Sequence, residues 1–595
     1  MTSKDGEASA LGRPLRLWPG VAIITVQWLL RFVLPVLMPE AMVAGILGAL
    51  AGGLLVVLWW AFLSRARVAE RIGAMALMAA GFASAWRGVD VSLATGAQGM
   101  LYPLLAVPVV SLAFVAWAVA TRNVTGPWRW VTMAAAIFAS TGVWTLVRTG
   151  GLSGNFDNDL SWRWTESAEE RLLAQPVEPV AAAGATPAAG PVTVPAPAPL
   201  AAAAPKAARY WPGFRGAERD GVVRGARIER EWNVSPPVEM WRRAVGPGWS
   251  SVAVSGELLY TQEQRGEEEV VSCYRVESGK PVWMHKDAAR FWESNAGAGP
   301  RGTPTLHNGR VYTLGATGIV NALDARTGAV VWARNAAEDT GAKRPDWGFS
   351  GSPLVAGEVL VVAASGNLIG YELATGNPRW KGPESGASYS SPKLAMIDGV
   401  LQVLLLSAKG VTSVSPADGA TLWLHAWKGY PIVQPGVTED GDVLISASES
   451  SGTRRLTAKH GQEGWTVEER WTSNALKPYF NDYVIHKGNA YGFDGSILAC
   501  MNLADGKRKW KGGRYGQGQL VLLADMDLLL VLSEEGELAL VQAKDDQFTE
   551  VARRPGISGK TWNHPAVAGD VLLVRNGEEM AAFRLPAANG GESQK

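Results

Sequence analysis

Residues 325–332 read Ala-Arg-Thr-Gly-Ala-Val-Val-Trp, and variants of this stretch recur along the C-terminal part of the chain. In five copies a glycine stands in a polar turn four residues before a tryptophan, where a tight hairpin requires a positive φ. The repeat tryptophans are Trp241, Trp283, Trp332, Trp380, Trp423, Trp471 and Trp510. Their spacing of 39 to 49 residues is the period of a four-stranded β-propeller blade.

The residues between successive tryptophans follow the same order of strands and turns in each copy. A start such as Gly302-Thr-Pro-Thr leads to an apolar strand, a turn, a third strand and a fourth strand that ends in tryptophan. We expect each indole to pack on the neighbouring blade, where its ring is buried and its N–H finds a partner. These tryptophans are therefore predicted to be structural.

The number of blades follows from the two ends of the repeat region. A copy without tryptophan spans about residues 518–552, and a partial copy at 565–584 offers three strands. Residues 237–243, which include Trp241, supply a lone fourth strand. Pairing the two pieces completes a blade and leaves no open sheet edge. The sequence thus predicts an all-β, eight-bladed propeller over residues 209–595.

These repeats, together with Trp-Pro-Gly-Phe-Arg-Gly-Ala-Glu-Arg-Asp-Gly at 211–221, resemble the PQQ-repeat propellers of the quinoprotein alcohol dehydrogenase-like superfamily. Residues 210–585 look like the bacterial PQQ-binding-like repeat proteins that are called BamB-like. The resemblance is specific for the fold. It does not imply an activity, because enzymes and scaffolds share the tryptophan repeat as a packing device.

The N-terminal quarter has the composition of a segment that lies in a lipid bilayer. Five apolar segments approach the roughly 20 residues that a membrane-spanning helix needs: 17–38, 42–63, 71–87, 100–120 and 128–149. They predict an α-helical transmembrane bundle of about five spans. The predicted domains are a transmembrane domain at 1–152, a juxtamembrane segment at 153–175, an Ala/Pro-rich linker at 176–208 and the propeller at 209–595.

The positions of arginine and lysine predict the orientation. Arg65, Arg67 and Arg71 lie between the second and third segments, and basic residues also precede the first segment and flank the loop between the fourth and fifth. Basic loops stay on the cytoplasmic side of a membrane. We therefore expect an inner-membrane, multi-pass protein with a cytoplasmic N-terminus and a periplasmic propeller.

The cysteines and histidines bear on catalysis. Quinoprotein alcohol dehydrogenases of the resembled superfamily commonly carry two adjacent cysteines against the quinone, whereas this chain has only Cys273 and Cys500, far apart. Both stand ten residues before a repeat tryptophan, and we expect two free, buried thiols. The six histidines lack metal-ligand spacing, so no metal site is predicted. PQQ with calcium stays open as an alternative. Its conceivable ligands are Glu449, Asn481, Asp482 and Asp494, whose other role is solvation of the blade-tip loops.

A ligand site is expected at one mouth of the central channel, where the loops that begin each blade converge. The candidates there are Arg301, Trp347, Tyr389, Asn481, Trp562, Asn563 and His564. Their alternative role is to satisfy channel waters and backbone ends. No catalytic residue is assigned.

Two functions fit these observations. The first is a membrane-anchored periplasmic scaffold that binds other envelope proteins or polymers, without a cofactor. The alternative is a membrane-bound PQQ-dependent dehydrogenase of alcohols or sugars that passes electrons to membrane quinone. The net charge of +1 includes no long basic block, which argues against nucleic acid as a partner. The lipid bilayer is the other expected partner.

Overall fold

The computed structural model describes residues 15–38, 41–154, 157–176, 209–447 and 451–588. Apart from Pro176, the predicted linker at 176–208 lies outside the described residues. The chain divides into two compact units, Met1–Thr165 with Glu293–Gly297 and Glu166–Trp292 with Ala298–Lys595. The division at residues 165 and 166 falls within the predicted juxtamembrane segment.

The first unit is mainly helical. Four of its helices are long and apolar enough to cross a membrane: Trp18–Leu37, Met42–Leu63, Val68–Trp86 and Leu101–Ala120. The first two include the π-helical turns Leu29–Val33 and Trp59–Leu63. The unit also contains the kinked helix Val91–Gly99 and an antiparallel strand pair, Val147–Leu152 with Asn158–Trp162.

The fifth predicted span, 128–149, is shorter than expected. It forms the 16-residue helix Pro127–Gly142, which continues as the 3-10 helix Val143–Leu146 before strand Val147–Leu152 begins. Arg129 joins this helix to its neighbours, because its guanidinium lies 3.3 Å from Glu70 and 4.9 Å from the ring of Trp117. A buried cation with both partners is thereby compensated.

The second unit is an eight-bladed β-propeller, as predicted. Each blade is an antiparallel sheet whose strands are ordered from the channel outward. Blades 1 to 4 consist of Ala253–Ser255, Leu258–Arg265, Glu268–Arg275 and Pro281–Asp287; Thr305–His307, Arg310–Leu314, Ile319–Asp324 and Val330–Asn335; Leu354–Ala356, Val359–Ala364, Asn367–Glu372 and Pro378–Lys381; and Lys393–Ile397, Val400–Ser407, Gly410–Val414 and Thr421–Ala426.

The remaining blades follow the same order. Blades 5 to 8 consist of Gly436–Val437, Val443–Ala447, Gly452–Gly461 and Gly464–Ser473; Val484–His486, Asn489–Asp494, Ile497–Asn502 and Arg508–Arg514; Gln519–Leu523, Leu528–Leu532, Glu537–Gln542 and Glu550–Pro555; and Ala566–Ala568, Val571–Arg575, Glu579–Arg584 and Val238–Ala244. Two short strands are added at the channel side, Tyr210–Trp211 on blade 1 and Val222–Val223 on blade 7. A ten-residue pair of outer strands makes blade 5 the longest.

Closure of the ring occurs within blade 8. Its outermost strand, Val238–Ala244, comes from the start of the domain and pairs with Glu579–Arg584 from the end. Trp241 lies opposite Ala582 in this seam. The predicted joining of the two chain ends is confirmed.

The repeat tryptophans connect neighbouring blades. Trp332 of blade 2, for example, donates its indole N–H to the carbonyl of Leu373 in blade 3, at 3.0 Å. Its ring covers Gly376 so closely that a Cβ there would lie 2.5 Å from it. We call this arrangement, an outer-strand tryptophan over the next blade's hairpin, the tryptophan clasp. Trp241, Trp283, Trp380, Trp471 and Trp510 likewise donate to a carbonyl of the next blade.

Two blades depart from this pattern. Trp423 donates to Gln402 of its own blade, at 2.7 Å, and the following blade is the one with the extended hairpin. Blade 7 has Ala552 at the tryptophan position, opposite Leu540. Trp232, from the segment before the propeller's first full strand, is 1 % exposed and belongs to the same core cluster as Ala552.

Both cysteines face a tryptophan across their blade. Cys273 pairs with Trp283 and Cys500 with Trp510 in the strand register. Ala322, Gly370 and Ser413 occupy the same register in other blades. Both thiols are free and buried, as expected.

Helix Ala168–Leu173 belongs to the propeller unit. A capping box of Ser167 and Glu170 begins it. Glu169 accepts from the N–H of Gly266 at 2.9 Å and pairs with Arg290 at 2.9 Å. These contacts fix the helix on the hairpin between the second and third strands of blade 1.

Candidate functional site

Large side chains gather where the chain enters the innermost strand of a blade. Trp249, Arg301, Tyr389, Phe480 and Trp562 each stand four residues before such a strand. Because the innermost strands run in the same direction around a propeller, one register position places these side chains at one mouth of the channel.

The aromatic rings at this mouth form a continuous series. The centroid distances are 4.7 Å for Trp249–Trp562, 4.8 Å for Trp562–Phe480, 5.3 Å for Phe480–Tyr479, 6.3 Å for Tyr479–Trp347, 4.9 Å for Trp347–Tyr389 and 6.2 Å for Trp347–Tyr430. We call these seven residues the aromatic rim. They come from the loops before blades 1, 3, 4, 5, 6 and 8, so the rim spans the mouth rather than lining one side of it.

The rim remains partly open to solvent. Tyr430 is 48 % exposed, and the other six side chains are half-buried. The ammonium group of Lys560 lies 4.7 Å from the ring of Trp562 and 5.5 Å from that of Trp249. The mouth thus offers flat aromatic faces with the ammonium group of Lys560 at the edge, a surface suited to apolar or π-rich groups.

Four of the seven sequence candidates lie at this mouth. Trp347, Tyr389 and Trp562 are members of the rim. The guanidinium of Arg301 stacks on Phe291, with its Cζ 4.6 Å from the ring centroid. Four rim residues were not predicted: Trp249, Tyr430, Tyr479 and Phe480. The four-residue offset from the innermost strand would have identified Trp249 and Phe480.

The other three candidates are buried in a polar layer. Asn481, Asn563 and His564 are 0 %, 1 % and 6 % exposed. Asn563 donates to the carbonyl of Ser250 in the loop before blade 1, at 2.7 Å. Burial, together with the nearby Arg215, lowers the pKa of His564 to about 3, so this imidazole is neutral near pH 7.

Hydrogen bonds of this layer join neighbouring blades around the channel. Ser251 N–H donates to Thr303 at 3.0 Å, Thr303 N–H to Ser352 at 3.0 Å, and Ser352 N–H to Ser391 at 2.9 Å. Gln434 N–H donates to Asp482 at 3.0 Å, and Gln519 donates to the Trp562 carbonyl at 3.1 Å. The Ser-Pro and Thr-Pro starts of the repeat therefore act as interblade connectors.

A second chain segment lies against the inner part of every blade. Residues 210–223, which we call the plug, contact all eight blades. Their partners, from blade 1 to blade 8, are Ser255, the N–H of Leu306, the carbonyls of Ser352 and Pro353, Lys393, Gln434, the carbonyl of Tyr483, Leu522 and the ring of His564. The polar layer thus contacts the plug through Ser352, Gln434 and His564.

The residues present do not fit the calcium-dependent quinone arrangement that the sequence left open. Asp482 lies 3.5 Å from Arg215, and Asp494 is held by Arg508 at 2.6 Å and Lys511 at 2.8 Å. Glu449 lies outside the described residues. Over the described ranges, no three His, Cys, Asp or Glu side chains are grouped to hold a metal ion.

Eight blades, with tryptophan clasps at six of their eight joints, define the chain as a PQQ-type repeat propeller. A family model described as outer membrane protein assembly factor BamB matches residues 232–404 and 407–593, which is more than half of the chain. The chain belongs to this family.

Curated relatives carry the same description. An outer membrane protein assembly factor BamB of Xanthomonas campestris is 30 % identical over 50 % of this chain and 86 % of its own length. That of Moranella endobia is 30 % identical over 41 % of this chain and 64 % of its own length. The solved structure of BamB from Moraxella catarrhalis is 16 % identical, with a TM-score of 0.44 over 59 % of this chain and 99 % of that one. This chain spans less than two thirds of the Moranella protein.

Proposed function

We propose that this chain is a membrane-anchored scaffold of the bacterial envelope, and that its aromatic rim binds a polypeptide segment of an envelope protein. The continuous series of seven partly exposed rings carries the proposal. Aromatic side chains are enriched at the centres of protein interfaces, because each buries a large area at a small cost in side-chain entropy. The relatives described as outer membrane protein assembly factors support an envelope protein as the partner.

The proposed topology places the propeller in the periplasm and the N-terminus in the cytoplasm. It requires an odd number of crossings, and the helix at Pro127–Gly142 decides that number. Sixteen α-helical residues rise about 24 Å, and the four residues of Val143–Leu146 add about 8 Å if they continue the axis. The sum matches a hydrocarbon core of about 30 Å, which supports five spans.

Reporter fusions test this topology. A reporter after Thr149 should be extracytoplasmic, and one within residues 65–71 should be cytoplasmic, because basic loops are retained inside. If both reporters are cytoplasmic, the fifth helix does not cross and the periplasmic assignment is wrong.

Photo-crosslinking in the native membrane tests the rim. A photoreactive residue at Tyr430 should capture an envelope protein, whereas the same residue at Tyr210, which is similarly exposed at 55 % and lies outside the rim, should not. Trp347→Ala should reduce the capture from position 430 without a change in the melting temperature of the propeller. Equal capture from both positions, or capture of lipid or polysaccharide alone, would overturn the proposal.

The dehydrogenase alternative is tested on the full chain. We expect no tight PQQ binding and no dye-linked oxidation of alcohols or sugars after incubation with PQQ and calcium. Turnover under these conditions would replace the scaffold with an enzyme.

A further inference from the structure

A cavity of about 500 Å³ lies between the plug and the inner strands of blades 4 to 7. Its wall includes Arg215, Glu218, Arg219 and Asp220 from the plug, Lys393 from blade 4 and Tyr483 from blade 6. None of these residues belongs to the aromatic rim. The cavity is therefore distinct from the mouth to which the scaffold function is assigned.

Three cations are buried at this cavity. Arg215, Arg219 and Lys393 are only 4 %, 7 % and 9 % exposed. The buried carboxylate in contact with them is Asp482, whose Oδ1 lies 3.5 Å from Arg215. Asp220 is partly solvated and pairs with Arg224 at 2.8 Å. The other carboxylates of the wall, Glu218, Asp220 and Glu439, are exposed or only partly buried. Burying charge is costly unless it is paired, and the buried part of the cluster holds three cations beside the carboxylate of Asp482.

The donors of this cluster are not all used. Arg219 donates through its terminal nitrogens to the carbonyls of Pro353 and Ser352, at 2.7 and 3.0 Å, but its Nε is buried without a partner. The Nε of Arg215 is also buried without a partner. Lys393 donates to the carbonyls of Glu218 and Arg219, which accounts for two of its three N–H groups.

The electrostatics of the cluster favour a negative guest. Burial, and then the charge of Arg215, lower the pKa of Lys393 to about 8 and that of Arg219 to about 9. The cations therefore destabilise one another in the absence of an anion. The groups that act on Lys393 are Arg215, Arg219, Glu218, Asp220 and Asp482.

We propose that this cavity binds a tetrahedral dianion, the phosphate group of a small molecule or free phosphate, through Arg215, Arg219 and Lys393. Guanidinium groups match the geometry of phosphate oxygens, and a lysine ammonium adds a point charge. The volume exceeds that of phosphate alone, which leaves room for a small organic substituent.

Calorimetric titration of the full-length protein in detergent tests the site. Inorganic phosphate and sulfate should bind saturably against a chloride background of equal ionic strength, and acetate should not. Lys393→Gln should weaken binding by about tenfold or more. The matched control is Lys409→Gln, because Lys409 is an exposed lysine of the same blade that also donates to a backbone carbonyl. The control should bind as the unchanged protein does.

The unchanged protein supplies a second readout if Lys393→Gln fails to fold. Sulfate does not titrate near neutral pH, so its affinity should fall as the pH rises through about 8 and Lys393 loses its proton. Tighter binding of glycerol phosphate than of inorganic phosphate would identify a phosphate ester as the ligand, and the reverse would identify free phosphate. Absence of saturable binding, or an affinity that ignores both Lys393 and pH, would overturn the proposal.

Discussion

The joint between blades 2 and 3 and the joint between blades 7 and 8 are built differently. In the first, Trp332 covers Gly376 in a hairpin that links the third and fourth strands of blade 3. In the second, no such hairpin exists, because the third and fourth strands of blade 8 are the two ends of the domain. Blade 7 has Ala552 in place of tryptophan, and Trp232 enters the same core cluster from the N-terminal side.

The two joints show which features of the neighbouring blade a tryptophan clasp requires. A tryptophan clasp needs a continuous hairpin in the next blade, and in five of the six clasps a glycine of that hairpin leaves space for the ring. Where ring closure removes the hairpin, the sequence also lacks the tryptophan. Trp232, from the chain segment that leads into the seam, belongs to the core cluster that includes Ala552.

The largest expected effect distinguishes the seam from an ordinary hairpin. Cysteines at Arg242 and Ala581, which are paired across the seam, should form a disulfide that closes a loop of some 340 residues. The chain-entropy relation gives about 5 to 6 kcal/mol of stabilisation there. The matched pair Thr412 and Leu424, in the same register of blade 4, closes a short loop and should give about 3 kcal/mol.

Chemical unfolding of each oxidised variant, compared with its reduced form, measures the two values. Equal stabilisation by the two disulfides would show that the seam of blade 8 behaves like the continuous hairpin of blade 4.

Removal of a clasp should have the next largest effect. Trp332→Ala should lower the free energy of unfolding by about 3 to 5 kcal/mol, because it empties a buried indole site and removes one of the two donors to the Leu373 carbonyl, the other being Arg310. Trp292→Ala, at an indole that is 36 % exposed, should cost far less. Urea denaturation followed by circular dichroism would test this, and equal losses would contradict a packing role for Trp332.

The glycine of the clasp provides a smaller test. Gly376→Ala should destabilise by about 2 to 4 kcal/mol, because its φ of 72° strains an L-residue and the new Cβ meets the ring of Trp332. Gly357→Ala is the matched control, since its φ is 61° but nothing lies within 4 Å of a Cβ there. It should show the conformational strain alone, about 1 to 2 kcal/mol.

The smallest expected effect concerns the joint between blades 7 and 8, which has no tryptophan clasp. Ala552→Trp should destabilise by about 1 to 3 kcal/mol, because the new ring must share the core cluster with Trp232. In a Trp232→Ala background the same substitution should cost less, and a double-mutant cycle on melting curves measures the coupling. Additive effects would show that Trp232 does not replace the missing clasp.

The repeat spacing was sufficient to predict the propeller, the eight blades and the joining of its ends. Periodic tryptophans indicate interblade packing, which repeats at six of the eight joints. The plug was not predicted, because residues 210–223 follow no repeat and their partners are spread over eight blades. The rim was predicted in part. The rim residues stand four to seven residues before the innermost strands, so no single offset in the sequence identifies all of them.

The helical unit shows that hydropathy does not predict where an apolar helix ends. Four predicted spans correspond to helices of membrane-spanning length and composition. The fifth differs because Gly142 ends the α-helix early and the chain passes through a 3-10 turn into a strand. An apolar window does not distinguish a long helix from a shorter one followed by a strand.

The seam of blade 8 also affects when the newly synthesised propeller can finish folding. Trp241 is synthesised some 340 residues before its partner Ala582. At synthesis rates of about 5 to 20 residues per second, the strand at Val238–Ala244 waits roughly 20 to 70 s with its hydrogen-bonding edge unpaired. Over that interval the plug also lacks most of the blades that it will contact. The propeller therefore completes folding only after nearly its last residue has emerged, and its first strand is the part of the domain that depends longest on protection from aggregation.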